Sequence, residues 1–354
     1  MNKKILKWII GLFCIIIFAG LNAPACDAAK AVTKSVGKGK IQTKNGSVSV
    51  SKNTKKVSLK KSGTYTITGK ISGYSFVVAK KNISIKLVLG GTTISNSKTS
   101  CIYNKYPTSK LTVQGKKGKK NTITGAKTYP VPTNQKEADP DAAVCSEGDI
   151  TFAGTGSITV NDISTNGEAI HSKETLTIKS GSVNAVSKRV SFHGENVYVN
   201  SGVLNLTSGD TGIKSKERVY IKGGNISVSA GDKGVHGKTG VNISGGTLSI
   251  SVPKTFPTMF EDFRGIVAGS TGKNIEGSIV ITAGTITVIS FGDCIRASKD
   301  ITITGGTFRL TSIGDDGIQA KNLLTLTGSA KFTIQAGGKK VKGEKKNIGI
   351  GIVL

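Results

Sequence analysis

The chain has 354 residues, 46 of them Gly and 7 Pro, with a formal net charge of +28; its glycines fall at regular turn positions, which argues against disorder. Arginine supplies only five of the 49 basic residues and no aromatic stripe interleaves with them, which argues against nucleic acid as a partner. The charge points instead to acidic polymers such as acidic polysaccharide, teichoic acid or an anionic envelope.

In chain order, Lys3, Lys4 and Lys7 precede an apolar run from Trp8 to Leu21 and then small residues, the pattern of a secretory signal over 1–28. The run is short for a spanning helix, so no membrane span is expected after cleavage. The product is expected to be secreted or associated with the cell surface. A lipid anchor would use Cys26, but Ala23 stands where lipidation signals usually carry Leu. Trp8 leaves with the signal, so the mature chain has no indole platform for neutral polysaccharides, and only Tyr could serve.

Residues 29–46, rich in Lys, Gly, Thr and Ser, read as a linker. Residues 47–142 read as an N-terminal β cap with the first coils, because an open coil edge would otherwise template aggregation. Within them the segment from Tyr129 to Asp141 is expected as a surface loop. Cys101, Cys145 and Cys294 each sit beside an aliphatic anchor and read as small buried hydrophobes rather than a disulfide set.

Residues 143–354 repeat a phrase of about 22 residues: a Gly-Asp turn, an anchor, a short alternating strand, a Gly pair and a second alternating strand. Clear copies begin at Gly209-Asp210-Thr211-Gly212-Ile213, Gly231-Asp232-Lys233-Gly234-Val235 and Gly314-Asp315-Asp316-Gly317-Ile318. The anchors run Ile102, Val144, Ile170, Val190, Ile213, Val235, Ile266, Ile295, Ile318 and Val341. A second column runs Ile178, Val199, Ile221, Ile243, Ile281, Ile303 and Leu326. The two long steps around Ile266 read as inserted loops, one carrying Pro253-Lys254-Thr255-Phe256-Pro257. One such unit cannot bury its own apolar face and must stack on its neighbours. Period-2 alternation of Val, Ile and Thr broken by Gly predicts an all-β, right-handed parallel β-helix, expected as a monomer. Ile348 to Leu354 is expected to close the last coil.

Stacking in register turns equivalent residues into rows about 4.8 Å apart. Outward rows one place after the anchors hold His171, Lys214, His236 and Arg296; rows three places after hold Lys105, Lys173, His193, Lys216, Lys238 and Lys321. These form a candidate surface for a row of carboxylates. The histidines share columns with lysines, which speaks against a metal role. Asp210 and Asp232 occupy equivalent turns, as do Asp293 and Asp315, with Asp316 beside the latter. Carboxylates that close repel by about 3 kcal/mol at an effective dielectric near 20, so either a hard divalent cation or neighbouring lysines must neutralise them. Asp bonded to its own turn backbone is the plainer alternative.

The phrases from Gly209, Gly231 and Gly314, with Gly63-Thr64-Tyr65-Thr66-Ile67-Thr68-Gly69 and Ala142-Ala143-Val144, resemble a family of secreted bacterial, clostridial-type carbohydrate-binding β-helix proteins related in fold to polysaccharide lyases. The resemblance covers about 60 to 336 and implies calcium at Asp210, Asp232, Asp293, Asp315 and Asp316, and binding of polygalacturonate-type, pectin-like polymers of plant cell walls. Lys188-Arg189-Val190 replaces an acidic turn with a basic one, and Gly292-Asp293-Cys294-Ile295 lacks the Gly before its anchor, so fewer calcium sites than coils are expected. A non-catalytic binder is the leading reading. A uronate lyase using Arg218, Arg264 or Arg296, and a basic adhesion protein, are the alternatives.

Overall fold

A computed structural model of the chain describes residues 31–129, 141–253, 262–270 and 276–354. The expected signal segment, most of the Tyr129–Asp141 loop and the Lys254–Pro257 part of the insert lie outside the described residues. All regular structure in the described residues is β-strand.

The strands stack as a parallel β-helix of about 12 turns with roughly 23 residues per turn. Each regular coil contributes three strands, as in Thr211–Ser215, Arg218–Ile221 and Asn225–Ala230. The first joins a separate 13-stranded sheet. The other two belong to one continuous sheet that bends at a column of glycines. Gly181, Gly202, Gly224 and Gly246 there have φ between 90° and 116°, a region that residues with a Cβ rarely enter. A Cβ on Gly202 would also stand 2.6 Å from the Gly181 carbonyl oxygen. The corner is therefore restricted to glycine twice, by torsion and by close stacking.

Register follows the apolar columns. Ile213 pairs with Val235, Val235 with Ile266, Ile266 with Ile295, Ile295 with Ile318 and Ile318 with Val341. The second column pairs as expected, Ile178 with Val199 and onward to Leu326. Two places after the anchors the fillers Ser172, Ser215, Ala297 and Ala320 are buried. Ser172 donates to the Gly148 carbonyl and Ser215 to the Glu195 carbonyl, at 2.9 and 2.6 Å. A small hydroxyl there both fits the tight turn and meets a backbone acceptor. Cys101, Cys145 and Cys294 are buried and in no disulfide.

Two expectations change. The anchor of the basic-turn coil is Phe192, not Val190: Phe192 pairs with both Ile170 and Ile213. Val190 is buried as well, so burial pattern alone does not separate the two, and only the ladder does. The stretch expected as a linker is instead a hairpin, Val32–Val36 against Lys38–Thr43, antiparallel and turned by Gly37. Its second strand pairs antiparallel with Gly63–Ser72, and Val36 and Ile41 are fully buried. The polar composition reflects one exposed face, while the other covers the end of the apolar column and its open edge. At the far end Lys345–Ile348 pairs with Leu323–Leu326, and Ile352 and Leu354 pack on the core, with Ile350 and Val353 outside it.

Candidate functional site

The outward side of the 13-stranded sheet carries the row one place after the anchors. Paired neighbours run Cys145, His171, His193, Lys214, His236, Val267, Arg296, Gln319 and Lys342. Because Phe192 is the anchor, His193 belongs to this row and not to the row three places after.

Three depressions open along this one sheet face. A groove of about 960 Å³ over the first coils is lined by Lys55, Lys56, Lys98, Lys105, Asn53, Asn96 and Tyr103. A pocket of about 160 Å³ midway is lined by Lys233, His236, Asp262, Arg264 and Arg296. A third, of about 520 Å³, continues over Arg296, Gln319, Lys321, Lys339 and Lys342. Of these, Lys105, His236, Arg296 and Lys321 were legible from spacing. The lysines at 55, 56 and 98 were not, because their coils precede the regular phrase.

The individual side chains are less uniform than the rows suggest. Lys216, Lys238 and Lys321 are exposed, and Lys214 and Arg296 half-buried. Lys173 is paired with Glu147 at 3.2 Å. His193 is buried and held by Glu168, with its Nδ1 2.9 Å from Oε2. His236 faces the Gly269 carbonyl through Nε2 at 3.3 Å, and burial pulls its pKa down to about 4. It therefore enters this face as a neutral imidazole at neutral pH, offering a hydrogen bond and no charge.

The acidic turns separate into two kinds. Asp210 accepts from the Thr211 hydroxyl at 2.8 Å. Asp232 pairs with Lys233 and accepts the Asp262 backbone N–H. Neither joins another acid in a metal-type cluster among the described residues. Asp293, Asp315 and Asp316 do converge. The ladder matches Asp293 with Asp316 rather than with Asp315, since each lies two places before its paired anchor, Ile295 or Ile318.

Asp293 is fully buried. Its Oδ2 lies 3.0 Å from Arg296 Nη1 and 3.3 Å from Arg264 Nε, and its Oδ1 accepts the Asp316 N–H. Asp316 accepts the Lys339 N–H at 2.7 Å and lies 3.2 Å from Lys342 Nζ. By donor type this oxygen cluster fits a hard cation. Arg264, Arg296 and Lys342 already balance much of its charge, so it fits as a weak site. Burial and the neighbouring Arg296 hold the Arg264 pKa below its ordinary value, while burial outweighs Arg296 in raising that of Asp293. Arg218 lies elsewhere, on the second strand of its coil, bonded to Asn242.

A β-solenoid with a grooved, predominantly basic sheet face is the class defined by this fold and surface. The family model for carbohydrate-binding domain-containing proteins matches residues 53–317 and 266–350, and the chain belongs to that family. A carbohydrate-binding domain-containing protein of Acetivibrio thermocellus is 34% identical over 130 residues, which cover 36% of this chain and 44% of that relative. The match thus spans less than half of the relative's length. A solved structure of a polysaccharide lyase-like protein from C. thermocellum, a gadolinium derivative, aligns at 24% identity over 92% of this chain and 99% of that one, with a TM-score of 0.45.

Proposed function

We propose that the protein is a secreted, non-catalytic binder of acidic, polygalacturonate-like cell-wall polysaccharide, and that the polymer lies along the outward face of the 13-stranded sheet. The carrying observation is that three depressions share that face and that the charged residues lining them are mostly cations. About 12 turns at about 4.8 Å each give a face about 55 Å long, enough to meet an extended polymer at many points. Individual exposed ion pairs are weak; a row of them on a rigid ladder is multivalent, which raises affinity without any single strong contact.

Calcium belongs to this reading at the cluster of Asp293, Asp315 and Asp316, where it would supply a positive charge shared between those carboxylates and a uronate. Gel electrophoresis of the purified chain through polygalacturonate, through a neutral glucan and through plain gel tests the reading. Retardation is expected in polygalacturonate alone, reduced but not abolished by chelator. Equal migration in all three gels would refute it.

A second reading, a uronate lyase, rests on one observation: Arg264 sits in the midway pocket beside Asp293 and Arg296. Elimination needs a base of this kind near a cation that acidifies the α-proton. Rising absorbance from unsaturated product, lost in Arg264→Ala, would replace the binding reading with this one.

A further inference from the structure

A further groove lies on the other sheet, along the second strands of the coils. It holds about 560 Å³, and its lining includes Lys86, Thr112, Gln114, Thr151, Thr177 and Lys179. Its floor is one outward row: Lys86 pairs with Thr112, Thr112 with Thr151 and Thr151 with Thr177, and the row goes on through Tyr198, Tyr220 and Asn242. Two places along each strand a parallel row holds Gln114 and Ala153. Backbone bonds from Lys179 to Phe152, Asn200 to Ile178 and Lys222 to Val199 carry that row through Lys179 and Asn200 to Lys222. The half-buried rings of Tyr198 and Tyr220 stack with centroids 4.6 Å apart and planes 4° apart. Tyr220 thus covers one face of the Tyr198 ring, while the ladder neighbour on its other side is the small Thr177.

These side chains have the chemistry of a saccharide site. Threonine hydroxyls repeat once per coil, about 4.8 Å apart, with the Gln114 amide beside them, and both donate and accept hydrogen bonds. A flat ring at the end of such a row offers a surface for the apolar face of a sugar. The charge specifies an acidic one: Lys86, Lys179 and Lys222 are exposed, and no acidic residue lines the groove. Asp149, one place before Thr151, is met by Lys110 at 4.0 Å. The groove is also set apart from the basic face of the 13-stranded sheet. Glu174, Glu195 and Glu217 stand in the turns between the first and second strands of three successive coils, tied by the bonds of Glu195 N–H to the Glu174 carbonyl and Glu217 N–H to the Glu195 carbonyl, each 2.8 Å. This acidic ridge repels an anionic polymer that would cross from one basic surface to the other.

We propose that this groove takes a second strand of acidic polysaccharide, so that one protein molecule bridges two polymer strands. The inference rests on the binding reading above and adds a separate face to it. The two sheets close around one apolar column, so their outward sides point apart and a strand on one leaves the other open. Occupying both joins polymer strands into a network, in which each contact strengthens the rest.

The full chain is loaded onto a polygalacturonate-coated surface, washed, and offered fluorescent polygalacturonate from solution. The label should be retained. Lys86→Ala/Lys179→Ala should cut the retained label about tenfold while the variant still loads the surface, and Tyr198→Ala should lower it in the same direction. Lys40→Ala/Lys331→Ala, which removes the same charge from exposed positions outside both grooves, should retain the label as the unaltered chain does. A loaded surface that holds no label, label held equally by Lys86→Ala/Lys179→Ala, equal loss in Lys40→Ala/Lys331→Ala, or a labelled neutral glucan held as well as the polyuronate would overturn this inference alone. A surface that never loads would overturn the binding reading and this inference with it.

Discussion

At the scale of the residue, charge and burial separate side chains that look alike in sequence. Lys216 and Lys238 are exposed, so replacing either by Ala should change stability by no more than about 0.5 kcal/mol while lowering affinity for polygalacturonate; urea unfolding and gel retardation read the two effects apart. Arg296 lies against the fully buried Asp293. Its loss should destabilise the fold by about 2–3 kcal/mol, less than a wholly unpaired buried charge because Arg264 remains. His236 should give a pH signature. Its folded pKa is about 4 against an ordinary 6.5, with burial the leading cause and Lys233 second; Lys214 also lowers it, and Asp232 opposes them. Between those values the unfolded chain takes up a proton that the folded chain does not, so its contribution to stability is present above 6.5 and lost as pH falls toward 4. Comparing unfolding midpoints at pH 7 and pH 4.5 for the unaltered chain and His236→Gln should show a smaller acid loss in the variant.

At the scale of the element, each coil holds by its anchor and its corner. Phe192 is fully buried in the anchor column, and Phe192→Ala should destabilise by about 3–5 kcal/mol through lost burial and a cavity. Val190→Ala removes fewer atoms and should cost less. Equal effects of the two in denaturant titrations would argue against the ladder register described. The same register decides where His193 points. A shift of a single residue would move the whole outward set to the inside, and the Lys188-Arg189-Val190 turn is where a basic turn replaces the acidic one of the repeat.

At the scale of the molecule, the three depressions lie on one sheet, so binding should behave as a property of the face. Raising ionic strength from about 0.1 M to 1 M shortens the screening length from about 10 Å to about 3 Å. Affinity for polygalacturonate, measured by gel retardation or calorimetry, should then fall more than tenfold, with stability nearly unchanged. Affinity independent of salt would place the grip in neutral contacts, such as those around Tyr103, rather than in charge.

The repeat, the strand alternation, the glycine corners and most of the anchor column could be read from the sequence because a solenoid makes only local demands: each coil must offer the same inward pattern to its neighbours. Phe192 and Val190 could not be told apart that way, since both are apolar and both buried, and only hydrogen-bonded pairing assigns the register. The polar hairpin at 32–43 escaped notice because most of its residues face water. Tertiary structure alone decided which charges remain available. Lys173 meets Glu147, Asp293 meets Arg264 of the preceding coil as well as Arg296 of its own, and His171 and His193 meet carboxylates 25 to 30 residues away. A side chain's free charge depends on what stacking brings beside it, and a linear pattern fixes the rows without saying which of their members are already paired.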